Sequence, residues 1–260
     1  WLNENTVTYQ TTIDKRHNLN MLAGITFEES RNKFNSISFS HIPFESLGMA
    51  GMKNGTPGTP LGYIEEEATM SYLARAIYNF DSRYYLTATM RADGSSKFDK
   101  KNRWGYFPSF AVSWNLSEES FFKPLRSVVS ESKFRASWGV TGNNRIDTYA
   151  RFSELMMMDA SEGLYVNQEG IGHGVYPFGE KPSSVGVIPT RLGNQELKWE
   201  TTKQINVGLD LTLFGDRLNI VTDFYDKVTS DLLMAQTMPY SSGYGELWRN
   251  IGEVQNTGFE

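Results

Sequence analysis

The sequence predicts an all-β protein: an antiparallel sheet of about nine strands that makes up part of a larger transmembrane β-barrel. Three observations predict it. Apolar and polar side chains alternate in segment after segment, as strand residues do when successive side chains point to opposite faces. The apolar stretches are as long as a bilayer is thick. The connections between them are short and long in turn.

The pattern is clearest from Tyr84 to Leu116. Tyr84, Leu86, Ala88, Met90 and Ala92 share one face, and Tyr85, Thr87, Thr89, Arg91 and Asp93 the other. In the next run Trp104, Tyr106, Phe110, Val112, Trp114 and Leu116 oppose Gly105, Ser109, Ala111, Ser113 and Asn115, with Phe107 the exception on the polar side. A soluble sheet with one wet face also alternates, so length has to decide. Trp104 and Trp114 bracket ten residues, roughly 33 Å of strand at about 3.3 Å per residue. Tilted by roughly 40°, that projects to about 25 Å, the height of the apolar band between the aromatic girdles of an outer-membrane barrel. Trp104, Tyr106 and Trp114 are therefore the girdle candidates.

The other segments follow in order. Val7, Tyr9, Thr11 and Ile13 run into a tight break at 14–18, and Leu19, Met21, Ala23, Ile25 and Phe27 return. Residues 31–66, rich in Gly, Pro and Thr at their centre, read as an irregular loop. Met70, Tyr72, Ala74, Ala76, Tyr78 and Phe80 form the third apolar face, with Arg75 opposite. The loop 94–103 follows the fourth strand, and Asp93-Gly94 is expected to bend the chain out of it. After Leu116, Ser117 is placed to cap a short helix whose first turn holds Glu118 and Glu119, with Pro124 limiting its length. Phe134, Ala136, Trp138 and Val140 precede the longest connection, 142–196. Ile205, Val207, Leu209, Leu211 and Leu213 face away from Gln204, Asn206, Gly208, Asp210 and Thr212; Lys203 falls on the apolar side, above the lipid band. Phe214-Gly215-Asp216-Arg217 is a hairpin turn, after which Leu218, Ile220, Thr222 and Phe224 return. A loop at 230–248 leads to the final run. Tight breaks at 14–18, 79–83 and 214–217 and a moderate one at 117–132 alternate with the excursions 31–66, 94–103, 142–196 and 230–248. Membrane barrels show this because their periplasmic turns are short and their outer loops long.

Composition sets limits on function. A hydrophobic content of 39 % and mean hydropathy of −0.43 leave no run near the roughly 20 apolar residues of a spanning helix. A net charge of −5 gives no footing for nucleic acid, whose binders are normally basic. With no cysteine there are no disulfides or thiolate metal sites. The pattern is already a strand at Trp1 and still one at Phe259, which predicts an internal piece of a longer chain.

Nothing predicts catalysis, a cofactor or a metal. His17, His41 and His173 lie in separate connections with no ligand spacing and read as exposed loop residues. Gly170, Gly172 and Gly174 lack the flanking strand, helix and Gly-Lys-Ser/Thr of a phosphate loop. Ser130 and Lys133 spell S-x-x-K without its companion motifs. Met156, Met157 and Met158 suit the packed base of a loop. The polar-face charges Arg75, Arg91, Asp93, Arg135, Glu200, Asp210, Asp223 and Lys227 either line a solute path or pair with one another or with a plug. Tyr165, Tyr176, Phe178, Tyr240, Tyr244 and Trp248 in the long loops either stack on a sugar or grip a peptide, or simply pack those loops.

The order of several blocks is more specific. Arg91–Phe98 (RADGSSKF), Arg103–Ser109 (RWGYFPS), Ser113–Phe122 (SWNLSEESFF), Phe134–Asn144 (FRASWGVTGNN), Asn194–Leu211 (NQELKWETTKQINVGLDL), Asp216–Leu233 (DRLNIVTDFYDKVTSDLL) and Asn250–Glu260 (NIGEVQNTGFE) occur in series over most of 72–260. This series resembles the SusC/RagA family of TonB-linked outer-membrane transporters. The resemblance implies a barrel of about 22 strands with a plug inside it, a SusD-like surface lipoprotein as lid, energy from TonB–ExbB–ExbD, and glycans or peptides as substrates. Residues 1–260 then form part of the barrel domain, with the plug and the closing strands absent from this chain. Two other readings share the alternation: a passive porin and a soluble all-β glycan-binding module.

The facing assignment is testable in a full-length receptor. Leu209→Arg, mid-way along the apolar side, is expected to cost about 2–4 kcal/mol of stability in a bilayer, and Gln204→Arg on the polar side to be tolerated. Chemical unfolding in lipid vesicles measures both, and equal damage refutes the facing.

Overall fold

The computed structural model describes residues 1–42, 44–58, 60–157 and 187–260. The strands in chain order are β1 (Leu2–Ile13), β2 (His17–Ser36), β3 (Phe39–Ser40), β4 (Thr56–Pro57), β5 (Leu61–Phe80), β6 (Tyr84–Ser95), β7 (Trp104–Asn115) and β8 (Val129–Asn143). They continue with β9 (Glu154–Met157), β10 (Val187–Leu192), β11 (Glu200–Leu213), β12 (Leu218–Ser230), β13 (Leu233–Thr237), β14 (Glu246–Asn250) and β15 (Glu253–Phe259). Among the described residues, nine of them form one sheet in the order β1-β2-β5-β6-β7-β8-β11-β12-β15, every neighbour antiparallel. This is a meander that takes successive long strands in sequence. The expected strands are all present.

The register keeps the two faces apart across the sheet. Directly opposed residues share a face, and the ladder aligns Tyr9, Met21, Ala76, Ala88, Phe110, Trp138 and Ile205 on one side. That side is uncovered: Val112 is 46 % and Tyr106 63 % exposed, and Phe110, Ile205 and Phe224 are similarly open. No second layer lies over it among the described residues. A water-facing surface rarely carries so large an apolar area. Among the described residues no helix is long and apolar enough to cross a membrane. Lys203 and Asp226 interrupt the apolar side toward the long-connection end. Lys203 lies opposite Val140 and Val228. Asp226 lies opposite Ile205 and accepts hydrogen bonds from the Thr257 hydroxyl at 2.7 Å and the Gln255 amide at 2.8 Å.

A row of aromatic rings marks the short-connection end. Register aligns His17, Phe80, Tyr84, Trp114 and Phe134. Ring centres are 4.8 Å apart for His17–Phe80, 6.2 Å for Phe80–Tyr84 and 6.1 Å for Tyr84–Trp114. His17 is therefore no free loop residue. It opens β2, and its Nδ1 lies 2.7 Å from the Tyr78 hydroxyl. A tight turn puts the flanking residues straight into the ladder, which spacing alone does not reveal.

The connections differ from expectation in three places. Residues 31–66 are not wholly irregular: β2 and β5 remain paired to Ser36↔Leu61. Apolar and charged residues mix on both sides of this extension, so it carries no clean alternation to read; an Arg31–Glu66 ion pair and a Phe34–Tyr63 stack join its strands. Asp93 and Gly94 do not bend the chain. They stay in β6 opposite Gly105 and Trp104, and Gly94 leaves room for the Trp104 ring, which would stand 3.0 Å from a β-carbon there. Ser117 does not cap a helix. Two 3-10 turns, Leu116–Glu118 and Ser120–Leu125, form without side-chain caps, and Ser117 is buried within the first. Glu119 is drawn away from the helix start: it accepts from the Tyr84 hydroxyl at 2.5 Å and the Trp114 indole at 3.1 Å.

Phe107, the odd aromatic on the polar face, marks where the sheet opens. Pro108 has no N–H to give to a ladder, and the β7–β8 pairing stops at Ser109↔Gly139. Beyond it Phe107 is only 7 % exposed and joins Phe98, Ile146, Ala150, Leu197 and Trp199 in a buried cluster. Its ring lies against Gly105 and Gly142, where a β-carbon would overlap it. Gly142→Val in a full-length receptor is expected to force Phe107 out of this position at a cost of about 1–3 kcal/mol, read as a lower thermal midpoint in detergent.

Candidate functional site

The candidate site is the polar face, where chemistry-bearing side chains are held by the ladder. Arg135 on β8, Asp210 on β11 and Asp223 on β12 converge across three strands. The Arg135 guanidinium donates from Nε to both Asp210 oxygens (3.1 and 3.0 Å) and from Nη2 to Asp210 Oδ1 (2.8 Å) and Asp223 Oδ2 (3.0 Å). Gly208 sits beneath it because a β-carbon there would meet the guanidinium at 2.7 Å and the Asp223 carboxylate at 2.5 Å. Ridge and groove are complementary: a missing side chain on one strand seats the long one on the next.

A second pair lies nearer the long connections. Arg91 donates from Nε to both Asp93 oxygens at 2.8 and 2.7 Å, and its Nη2 reaches the buried Ser71 hydroxyl at 3.4 Å. Arg91 and Asp93, with Glu28, Thr69, Thr89, Thr141 and Asn144, line a cavity of about 500 Å³ whose apolar wall is Leu73, Val140, Phe107 and Trp199. The last two rings meet edge to face at 5.4 Å. The Trp199 indole donates to the Arg103 carbonyl at 2.9 Å, tying the β6–β7 connection to the start of β11. Phe107 was the one signal in the sequence that something packs on this face. The partners Phe98, Leu197 and Trp199 lie in connections with no period to betray them.

Other expected residues have more local roles. Glu200 accepts from the Asn143 amide at 3.0 Å and the Leu233 backbone N–H at 3.1 Å, anchoring β13. Arg75 is exposed and has no ion pair among the described residues. Trp248 on β14 is partly buried against the Phe98 cluster, and its carbonyl accepts from the Asn194 amide. Tyr244 is half-buried. Tyr240 opens a 3-10 turn, Tyr240–Ser242. Tyr165, Tyr176, Phe178, His173 and Met158 lie outside the described residues. Around Trp248, the short strands β13, β14, β10 and β9 make a separate small sheet in the long connections, with β10 and β14 parallel. No group of three metal-binding side chains occurs among the described residues.

A single-layer meander with one apolar and one charged face defines a section of an outer-membrane β-barrel. Residues 2–260 match the family described as TonB dependent receptor-like, beta-barrel, and the chain belongs to that family. It is 34 % identical over its whole length to TonB-dependent receptor P3 of Formosa agariphila, covering 24 % of that protein. It is 36 % identical over 76 % of its length to TonB-dependent receptor SusC of Bacteroides thetaiotaomicron, covering 18 % of it. Among solved structures it is similar to the RagAB peptide transporter: TM-score 0.77 at 27 % identity, with 99 % of this chain and 26 % of that one covered. The chain thus spans about a quarter of the length of the curated relatives it matches. The resemblance to SusC and RagA holds, and with it the outer-membrane location. The reading as a soluble module falls.

Removing the cation from the three-strand cluster tests what it contributes. In a full-length receptor, Arg135→Met leaves two carboxylates facing each other and is expected to destabilise by about 2 kcal/mol, the scale of a hydrogen bond to a charged group. Arg75→Met, without such partners, is expected to change little. Thermal unfolding in detergent compares the two.

Proposed function

We propose that this chain is one section of the barrel wall of a TonB-dependent importer for a large nutrient, an oligosaccharide or a peptide, and that the plug and the closing strands belong to the rest of the protein. The observation that carries this reading is the polar face itself. It holds fixed guanidinium–carboxylate pairs and a cavity lined by hydroxyl and amide groups beside aromatic rings, in a chain whose relatives are TonB-dependent receptors. Such a wall gives a hydrophilic solute hydrogen-bonding partners along its way, and it needs no covalent chemistry.

In this reading solute is captured among the long connections beneath a SusD-like lipoprotein. TonB–ExbB–ExbD acts on the plug, and the solute passes along the polar face. Arg75, Arg91, Asp93, Arg135, Glu200, Asp210 and Asp223 face that path, and Tyr240 and Tyr244 are on the connections where solute arrives. The likeness to the RagAB peptide transporter supports the peptide class, and the oligosaccharide class rests on the family resemblance of the sequence motifs.

The test is uptake by cells expressing the full-length receptor. Labelled oligosaccharides and oligopeptides are offered with TonB present, with TonB deleted, and with the proton-motive force collapsed. Uptake of one class is expected to stop in both energy-deprived arms. Uptake that persists in them marks a passive porin and overturns the proposal.

A further inference from the structure

The short-connection end carries a feature that transport does not use. Residues 116–128 leave β7 just after Trp114 and expose Phe121 (61 %), Leu125 (53 %) and Val128 on a segment that is not part of the sheet. Phe121 stands edge-on to Trp114 with ring centres 6.4 Å apart, so it prolongs the His17–Phe80–Tyr84–Trp114 row beyond the last strand residue. The segment is held in place. Phe122 is buried, Glu119 binds the Tyr84 hydroxyl and the Trp114 indole, and the Arg126 guanidinium donates to the Ser117 carbonyl. Backbone bonds lace it to both neighbouring short connections: Asn115 N–H to the Arg83 carbonyl and Phe214 N–H to the Val128 carbonyl, each 2.8 Å. Lys123 is exposed and has no ion pair among the described residues, whereas Arg126 faces Glu118 at 3.5 Å.

We infer that 116–128 is a membrane-contact foot that binds glycerophospholipid of the periplasmic leaflet. Phe121 is seated at the depth of the Trp114 ring, and Lys123 meets a lipid phosphate. Two observations select lipid over a protein partner. The exposed rings are continuous with the apolar face that the bilayer already covers, and an aromatic row with a basic neighbour is the composition of a membrane–water boundary. The leaflet follows from the end of the sheet: short connections are the periplasmic ones in these barrels, so the phosphate is that of a phospholipid rather than of lipid A. In a 3-10 turn residues three apart eclipse one another, which sets Phe121 above Pro124 and Lys123 on a different side. One turn thus offers both a ring to the acyl boundary and an ammonium to the headgroup.

The experiment uses the full-length receptor in nanodiscs of phosphatidylethanolamine with phosphatidylglycerol. Nitroxide labels are placed by Phe121→Cys, by Val112→Cys on the lipid face and by Lys15→Cys in a turn, and heat-modifiable gel migration confirms that each variant is folded. The label at 121 is expected to match 112, with oxygen accessibility exceeding that of a water-soluble nickel chelate several-fold. Behaviour like that at 15 means the patch faces water or a protein, and overturns the inference. For the headgroup, native mass spectrometry of Lys123→Glu is expected to show phosphatidylglycerol retention lowered by about fivefold, the effect of a basic residue at an anionic surface. Unchanged retention overturns the role given to Lys123.

Discussion

The structure depends on one constraint. In hydrocarbon a backbone N–H or C=O has no water to turn to, so every such group in the spanning region must be paired within the protein. A meander of antiparallel strands meets that demand between each pair of neighbours, and here the ladder runs from β1 to β15. Once the ladder is set, alternation does the rest. Each register shift by one residue would turn an entire strand's apolar set toward the charged side. The rows that join Tyr9 to Ile205 and His17 to Phe134 show that no such slip occurs between them; the β8–β11 ladder shifts only at its end, between Thr212 and Leu213.

The charged side is where the ladder is put to use. Side chains of opposite sign on neighbouring strands are brought within bonding distance by register, and glycines at 208, 105 and 142 leave the depth in which Arg135 and Phe107 lie. The same device appears on the apolar side, where Trp104 lies over Gly94 and stacks on Tyr72. Pro108 has a different effect: by ending one ladder early it opens the sheet toward the long connections. The Trp199 cluster closes that opening and makes the wall of the Arg91 cavity.

The two ends of the sheet are built differently. At the short end, turns interlock by backbone bonds and ion pairs. The Asp81 carboxyl is held below its usual range by the Arg16 guanidinium, and that of Glu119 is held down first by the Tyr84 hydroxyl and then by the Trp114 indole. At the other end, β2 and β5 run on past the sheet as a two-stranded ribbon, and the connections form small sheets of their own. A rigid rim at one end and long elaborated connections at the other are what a wall needs if it is anchored in a bilayer and open to solute on one side.

How much was legible in the sequence follows from which interactions are local. Alternation over Tyr84–Leu116 or Gln204–Leu213 reports the facing of each residue directly, because the strand period is a property of the chain itself. The all-β class, the nine long strands and the apolar face were therefore readable, and the ordered motifs carried the family; the alternation of connection lengths fails at one pair, because 96–103 is shorter than 116–128. The Arg135–Asp210–Asp223 cluster was readable only as three charges on one side; which of them meet depends on register between strands as much as 88 residues apart. The aromatic role of His17, the continuation of β2 to Ser36, and the burial of Phe98 and Trp199 left no period to find. Local spacing determines which way a side chain points, and only tertiary packing decides what it points at, because that contact is made by residues the chain brings together from far away.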